Sequence, residues 1–304
     1  MSALNDRLDT GEIVLIDGGM GTELERRGVV MDDQAWAGAA MRDHPDAIKE
    51  IHRDFIDAGA DIIIANTYAA APHVLEHAGL AGEAGALNLL ACRLACEAAD
   101  EAGVVRDLYV AGSMSSFRAG LEVDKLPSEK EARASYHEQA MRLAEGGVDL
   151  LIAEMMLDPV ITEYCVSAAA ETGLPLWIGF SARLGDDGRV LGFHKYADDP
   201  LEETIKVALA HNPEACGIMH SDVADTMPAL ECLKQHWQGT LFAYPHSGEF
   251  IMPNWQFDTV ISTEDYVAEA KRYIDMGVHA IGGCCGMGPD HIRALKNGLP
   301  GFVV

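Results

Sequence analysis

The sequence predicts an α/β fold, a (β/α)8 barrel of the TIM type built as a single domain over residues 1–304. Three observations lead there. Eight short runs rich in β-branched residues and leucine recur along the chain, each long enough for a buried strand. Alanine-rich segments with one apolar and one charged face alternate with them. No linker or low-complexity tract divides the chain, and 49% apolar content over 304 residues is enough for one large core.

The elements follow in order. IVLID (13–17) is the first predicted strand, and the helical spacing of HPDAIKEIHRDFIDAGA leads to the second, DIIIAN (61–66). LYVAGS (108–113) is the third; EARASYHEQAMRLAEGGVD then reads as a helix that delivers the fourth, DLLIAEM (149–155). LWIGFS (176–181), ACGIMH (215–220) and LFAYPHSG (241–248) are the next three, and TEDYVAEAKRYIDMGVHA carries the chain into HAIGGCC (279–285). Three helices end in DAGAD, EGGVD and DMGVH, with glycine where a C-terminal cap needs positive φ. Strands apolar throughout suit a parallel sheet covered on both faces. A doubly wound open sheet is the rival, but no strand opens a G-x-G-x-x-G turn into a helix.

Charge narrows the function classes. Lys and Arg total 22 against 48 Asp and Glu, a formal net charge of −26, which repels phosphate backbones and anionic lipid heads. Neither a nucleic acid nor a membrane is an expected partner; a homo-oligomer is left open. No apolar run reaches membrane-spanning length, and MSALNDRLDTGEIVLID lacks the basic flank of a signal peptide, so a cytoplasmic location is expected. Seven cysteines, an odd number, read as core thiols or ligands rather than a disulfide framework.

In a barrel of this kind chemistry sits where the strands run out. Those ends are polar here: Asp17-Gly18-Gly19, Asn66-Thr67-Tyr68, Gly112-Ser113, Glu154, His220, Pro245-His246-Ser247-Gly248 and Cys284-Cys285. Two carboxylates, Asp17 and Glu154, suit an ammonium group, while the backbone around Gly18 and the Thr67 hydroxyl are placed to receive a carboxylate. Together they describe an amino-acid headgroup. Asp17 alone also reads as a helix cap, whereas Glu154 at the end of an apolar strand has to be paired. Neighbouring residues of a regular strand point to opposite faces, so Cys284 and Cys285 grip one metal only if the strand ends there, a break that Gly282 and Gly283 supply.

The D-G-G-x-G-T start, the I-x-A-N-T-Y second strand, the G-V-D-L-L-I-x-E fourth, the Y-P-x-S-G-E seventh and the G-G-C-C-G eighth, in that order over about residues 13 to 295, resemble the homocysteine S-methyltransferase family, including its betaine-using branch. The resemblance implies a zinc-dependent barrel that binds homocysteine as a thiolate and passes it a methyl group from a sulfonium, a betaine or a folate. The family's zinc is held by three cysteines, the adjacent pair and one in a G-x-N-C motif ending strand six. Cys284 and Cys285 match the pair, but Gly217-Ile218-Met219-His220 puts a histidine at the third position. Imidazole binds zinc as readily as thiolate does, so the implied set for Zn2+ is His220, Cys284 and Cys285, with a fourth position for substrate. Two thiolates and a neutral imidazole make that site neutral, where three thiolates give −1. A neutral site acidifies an incoming thiol more and leaves it less electron-rich.

The family's Pro-Asn-Ser-Gly turn appears as Pro245-His246-Ser247-Gly248, and His246 reads as a contact to the substrate or to the residues around the metal, with direct ligation the alternative. Two other readings stay open for His220: a relic beside a lost or altered metal site, or a bystander to Cys216, which lies near the start of the strand, roughly 13 Å away at strand rise. The expected activity is S-methyl transfer from a sulfonium or betaine-type donor to a small-molecule thiol, homocysteine by family default. A folate donor is not expected, because that route in the family uses additional domains. The alternative is a divergent member with another thiol acceptor, or with a thiol redox or regulatory role in place of the metal.

Other residues read as structure. Cys92 and Cys96 share a helix face without His or acidic partners, Cys165 and Cys232 lie in helical stretches, and His73 and His77 lack an H-E-x-x-H frame. Trp36, Tyr68, Tyr244 and Trp255 lie near strand-end loops, placed to cage a methylated cation or merely to shield the pocket.

Overall fold

A computed structural model describes residues 2–117, 127–193, 198–251 and 253–301. The eight expected strands form one parallel sheet: Val14–Leu15, Ile62–Ile64, Tyr109–Ser115, Leu150–Met156, Leu176–Phe180, Ala215–Asp222, Thr240–His246 and Val278–Ile281. Each pairs with its neighbour in sequence, and the last returns to the first through Val14–Ala280 and Leu15–Ile281. A parallel bridge between Ile16 and Ile62 joins the first strand to the second and closes the ring. Closure rules out the open doubly wound sheet. The first strand is shorter than the apolar run suggests: beyond Leu15 only an isolated bridge at Ile16 continues the pairing.

The strands are buried on both faces. Outward side chains pack under the helices; inward ones, among them Ile62, Ile152, Trp177 and Phe242, fill the barrel. Trp177, Phe242 and Tyr244 stack along the interior with centroids 5.4 and 5.6 Å apart, so the barrel is a packed core whose top layer ends at the Tyr244 hydroxyl. A helix at Ser2–Asp9, with buried Leu4 and Leu8, joins this inner cluster. Asp61 anchors the same region: its carboxylate accepts from the Leu15 N–H at 3.0 Å and faces Arg7 and Arg106.

The outer helices start and stop where their residues dictate. Pro45–Ala58, Glu129–Glu145 and Thr263–Met276 are the three periodic segments, and Gly59, Gly147 and Gly277 behind them have positive φ. Ser128 opens the second of these with a reciprocal capping box to Glu131. Two hairpins were not foreseen: 182–184 with 190–192 after the fifth strand, and 249–251 with 254–256 after the seventh. Their three-residue strands are too short for a periodic signal. No helix among the described residues is long and apolar enough to cross a membrane.

Candidate metal and substrate site

Two strands are irregular at their C-terminal ends. In the fourth, Glu154 and Met155 stand opposite the single residue Gly179; in the sixth, His220 and Ser221 stand opposite Pro245. Each is a β-bulge, which breaks the strict alternation of side chains and re-aims one of them. Met155 has φ 55° and His220 φ 42°, a left-handed backbone that costs a non-glycine residue about 1–2 kcal/mol. The strain is placed where two chemically capable side chains are turned toward the mouth.

The eighth strand ends at Ile281, and the cysteine turn that follows is fixed by its backbone. Gly282 N–H donates to Ala243 O, Gly283 N–H to Asp17 O at 2.9 Å, and Cys284 N–H to Pro245 O at 2.8 Å. Glycine is required at 282 and 283 by crowding rather than by positive φ: a Cβ at Gly282 would lie 2.7 Å from Asp17 O, and one at Gly283 2.6 Å from Met287 Cβ. The break in alternation brings both sulfurs to one side, with Sγ atoms 3.9 Å apart.

His220 completes a triplet. Its Nδ1 lies 3.5 Å from Cys284 Sγ, and one ligand atom each from His220, Cys284 and Cys285 fall within 4.8 Å of one another. Among the described residues this is the group of His, Cys, Asp and Glu side chains spaced to hold a metal ion. Rings of His246, Phe193, Tyr68 and Trp255 surround the imidazole with centroids 4.7, 5.5, 6.3 and 6.4 Å away. Burial, and then neighbouring His246, push the His220 pKa well down, so the ring is neutral with a lone pair to offer. Cys216 is buried lower in the strand and is not part of this group.

Beside the triplet lies a small cavity of about 60 Å3, partly open to solvent and lined by Gly18, Gly19, Trp36, Tyr68, Glu154, Tyr244 and both cysteines, among others. Glu154 accepts from the Ser113 hydroxyl and, at 3.0 Å, from the Tyr244 hydroxyl. Burial raises its pKa to about 7 against the pull of those two donors. Asp17 accepts from the Ile64 N–H at 2.8 Å and is likewise pushed up, first by burial and also by the charge of Glu154. Glu154 lines the cavity and Asp17 lies buried beside its lining residue Gly18; none of the described lining residues is Lys or Arg, so Glu154 faces the cavity without a cation. That environment favours a ligand bringing its own positive charge.

The remaining expected site residues divide. Gly18 lines the cavity, and a Cβ there would meet Met287 O at 2.4 Å. Thr67 does not line it: its hydroxyl donates to Ser113 O at 2.8 Å and accepts from Ser113 N–H at 3.0 Å, tying strand two to strand three. His246 packs against His220, Phe193 and Trp255; its Nε2 faces Asp222 at 3.2 Å, and its buried Nδ1 has no partner. Sequence reasoning missed Ser113 and Tyr244 as the donors that hold Glu154, although both stand at polar strand ends. It also missed Phe193 and Phe250, which the two hairpins carry, and no sequence signal marks them.

Comparison with known proteins places this geometry among relatives. The sequence profile described as homocysteine S-methyltransferase matches residues 14–299. Betaine–homocysteine S-methyltransferase 1 of Xenopus laevis is 30% identical, covering 97% of this chain and 75% of its own length. Selenocysteine Se-methyltransferase of Brassica oleracea var. italica is 28% identical over 96% of this chain and 90% of its own. Among solved structures, the metallated form of the homocysteine methyltransferase MmuM from Escherichia coli superposes with a TM-score of 0.75 at 27% identity, covering 96% of this chain and 98% of that one.

Proposed function

The chain belongs to the homocysteine S-methyltransferase family and is a methyltransferase acting on thiols; on that premise we propose that it carries a methyl group from a sulfonium or betaine-type donor to homocysteine, giving methionine, with zinc as its metal. The spacing of the triplet carries this reading. Tetrahedral zinc with ordinary bond lengths sets two thiolate sulfurs about 3.8 Å apart, and a sulfur and an imidazole nitrogen about 3.5 Å apart. The separations here are 3.9 Å for Cys284–Cys285 and 3.5 Å for Cys284–His220, and all three ligand atoms lie within 4.8 Å of one another, so two of the three spacings match and the third is bounded by that limit. These three residues would hold the ion and leave one position for the acceptor's sulfur. Bound there, zinc would lower the pKa of a thiol so that it is held as thiolate at neutral pH.

The protein's own groups supply the rest. Asp17 and Glu154 receive the ammonium of the amino acid, and its charge favours the ionised form of both. Ser113 and Tyr244 hold Glu154 in one orientation, so the headgroup contact sets the reach of the acceptor toward the cysteine turn. Trp36 and Tyr68 wall the cavity, where aromatic rings would attract a methylated cation. In the transfer, a bond forms between the thiolate sulfur and the methyl carbon. The donor's bond to that carbon breaks, and its electron pair stays on the departing sulfur or nitrogen, which becomes neutral.

A redox couple of Cys284 and Cys285 is less well supported. Adjacent Cα atoms are about 3.8 Å apart, closer than the usual 4.4 Å minimum for a disulfide, and the hydrogen-bonded turn would have to distort. Incubation with homocysteine and a panel of sulfonium and betaine-type donors, read by mass for methionine, tests the proposal together with metal analysis of the same sample. Methionine from at least one donor and about one zinc per chain are expected. Zinc-loaded protein that makes no methionine would remove homocysteine as acceptor, and active protein without zinc would remove the metal.

A further inference from the structure

We infer that Thr22 and Arg26, on the helix Met20–Arg26 near the start of the chain, are positioning residues that set the adjacent-cysteine turn, an inference that rests on the reading of Cys285 as a metal ligand. The two side chains grip opposite sides of Gly286, the residue after Cys285. Gly286 N–H donates to Thr22 Oγ1 at 3.1 Å, and Arg26 Nη2 donates to Gly286 O at 2.6 Å. Both contacts join the two ends of the chain, across 264 and 260 residues.

Each gripping group is itself held. Thr22 Oγ1 donates to Gly19 O at 3.0 Å, so its lone pairs are aimed at the turn, and Gly19 N–H in turn donates to Met287 O at 3.0 Å. Arg26 is fixed by an ion pair with Glu23 and by the ring of Phe257, 4.4 Å below its guanidinium. From the other side Ser247 N–H donates to Cys285 O at 3.0 Å. Gly286 has φ 84°, and a Cβ there would lie 1.9 Å from Ser247 O, so only glycine fits between the helix and the Ser247 carbonyl. The peptide group between Cys285 and Gly286 is thus held at its oxygen by Ser247 and at its nitrogen by Thr22, which leaves the Cys285 sulfur little freedom of direction. Partners of this kind around metal ligands are worth about 10- to 100-fold in metal affinity.

The test uses the full chain and zinc itself. Thr22→Val keeps the side-chain volume and removes the acceptor; Arg26→Met keeps a stem over Phe257 and removes the donor. Arg26 is about a third exposed, at 32%, and circular dichroism checks that each variant keeps the fold. Both variants should bind zinc about 10- to 100-fold more weakly in competition with a chromophoric chelator, and shift the sulfur-to-metal bands of the cobalt-substituted protein. Thr22→Ser should restore wild-type behaviour. Arg27→Ala, which removes a guanidinium of the same region that pairs with Asp54, should leave affinity unchanged. Wild-type zinc affinity in both Thr22→Val and Arg26→Met overturns the inference. Wild-type protein that takes up no zinc overturns the metal reading instead; the relative alkylation rates of Cys285 and Cys284 by iodoacetamide, resolved by mass, then read the turn directly. Rates in both variants equal to wild type would again overturn the positioning role.

Discussion

His220 Nδ1 stands 3.5 Å from Cys284 Sγ although 64 residues separate the two along the chain. The contact exists because a bulge turns His220 inward at the end of strand six while strand eight ends at Ile281 and the crowded turn at Gly282 and Gly283 presents Cys284. If the pair shares a metal, His220→Ala removes one of the three described ligands, and Cys216 lies outside the group. Zinc content should fall from about one per chain to a small fraction of that, with the fold retained, whereas His220→Cys should keep the metal. Elemental analysis after gel filtration decides it; undiminished zinc in His220→Ala would remove the histidine from the ligand set.

Much of this arrangement is legible in one sequence, and the illegible part has a physical cause. Apolar runs announce the eight strands because parallel barrel strands are buried on both faces, and polar residues at their ends announce the mouth. Strand closure then brings Asp17, Glu154, His220 and the cysteines to one rim. A bulge is a relation between two strands, so the left-handed turns at Met155 and His220 leave no mark in either strand alone. Thr67 is a different case: a hydroxyl at a strand end looks available for substrate, and here its proton goes to Ser113 O while it accepts from Ser113 N–H.

Glu154 makes acceptor binding depend on pH. Its carboxyl titrates at about 7 in the folded protein because burial outweighs the donors Ser113 and Tyr244. Only the ionised form attracts an ammonium, so kcat/KM for the acceptor should rise with pH through about 7. Glu154→Gln should erase that limb and cost about 1.5–3 kcal/mol, roughly 10- to 150-fold, in acceptor kcat/KM. Stability should move the other way. The folded value is raised above the unfolded 4.5, so the contribution of this group is full below 4.5 and lost as pH rises through about 7. Glu154→Gln should therefore melt at a higher temperature than wild type at pH 8, with the gap closing toward pH 4.5. A pH-independent wild-type kcat/KM over that range would remove Glu154 from acceptor binding.

His52 sets a separate limit on acid stability. It lies on the helix Pro45–Ala58, fully buried, and neither ring nitrogen has a hydrogen-bond partner. Burial alone pushes its pKa down from 6.5 to about 3. The unfolded chain takes up a proton below 6.5 that the folded protein refuses, so stability is lost as pH falls from 6.5 toward 3. His52→Leu should flatten that decline, which calorimetry at pH 7.5 and 5 would register as a smaller drop in Tm than in wild type. Equal drops would mean that the folded protein finds a partner for the protonated ring.

The aromatic wall predicts which substrate carries the positive charge at the moment of transfer. Trp36 lines the cavity and touches Tyr68, Phe117 and Phe250 with centroids 6.4, 6.4 and 6.0 Å away, so its ring is held by its neighbours before any ligand arrives. A preset ring face attracts a sulfonium or quaternary ammonium by about 0.5–2 kcal/mol and does little for an uncharged analogue of the same shape. Trp36→Leu keeps an apolar wall and removes the quadrupole. It should raise KM for the methyl donor about 2- to 30-fold and leave KM for the thiol acceptor unchanged. The decisive comparison is inhibition by a cationic donor mimic and by its neutral isostere: Trp36→Leu should weaken the first and spare the second. Equal weakening of both would reduce Trp36 to a shield around the pocket and return the choice of donor to the other rings.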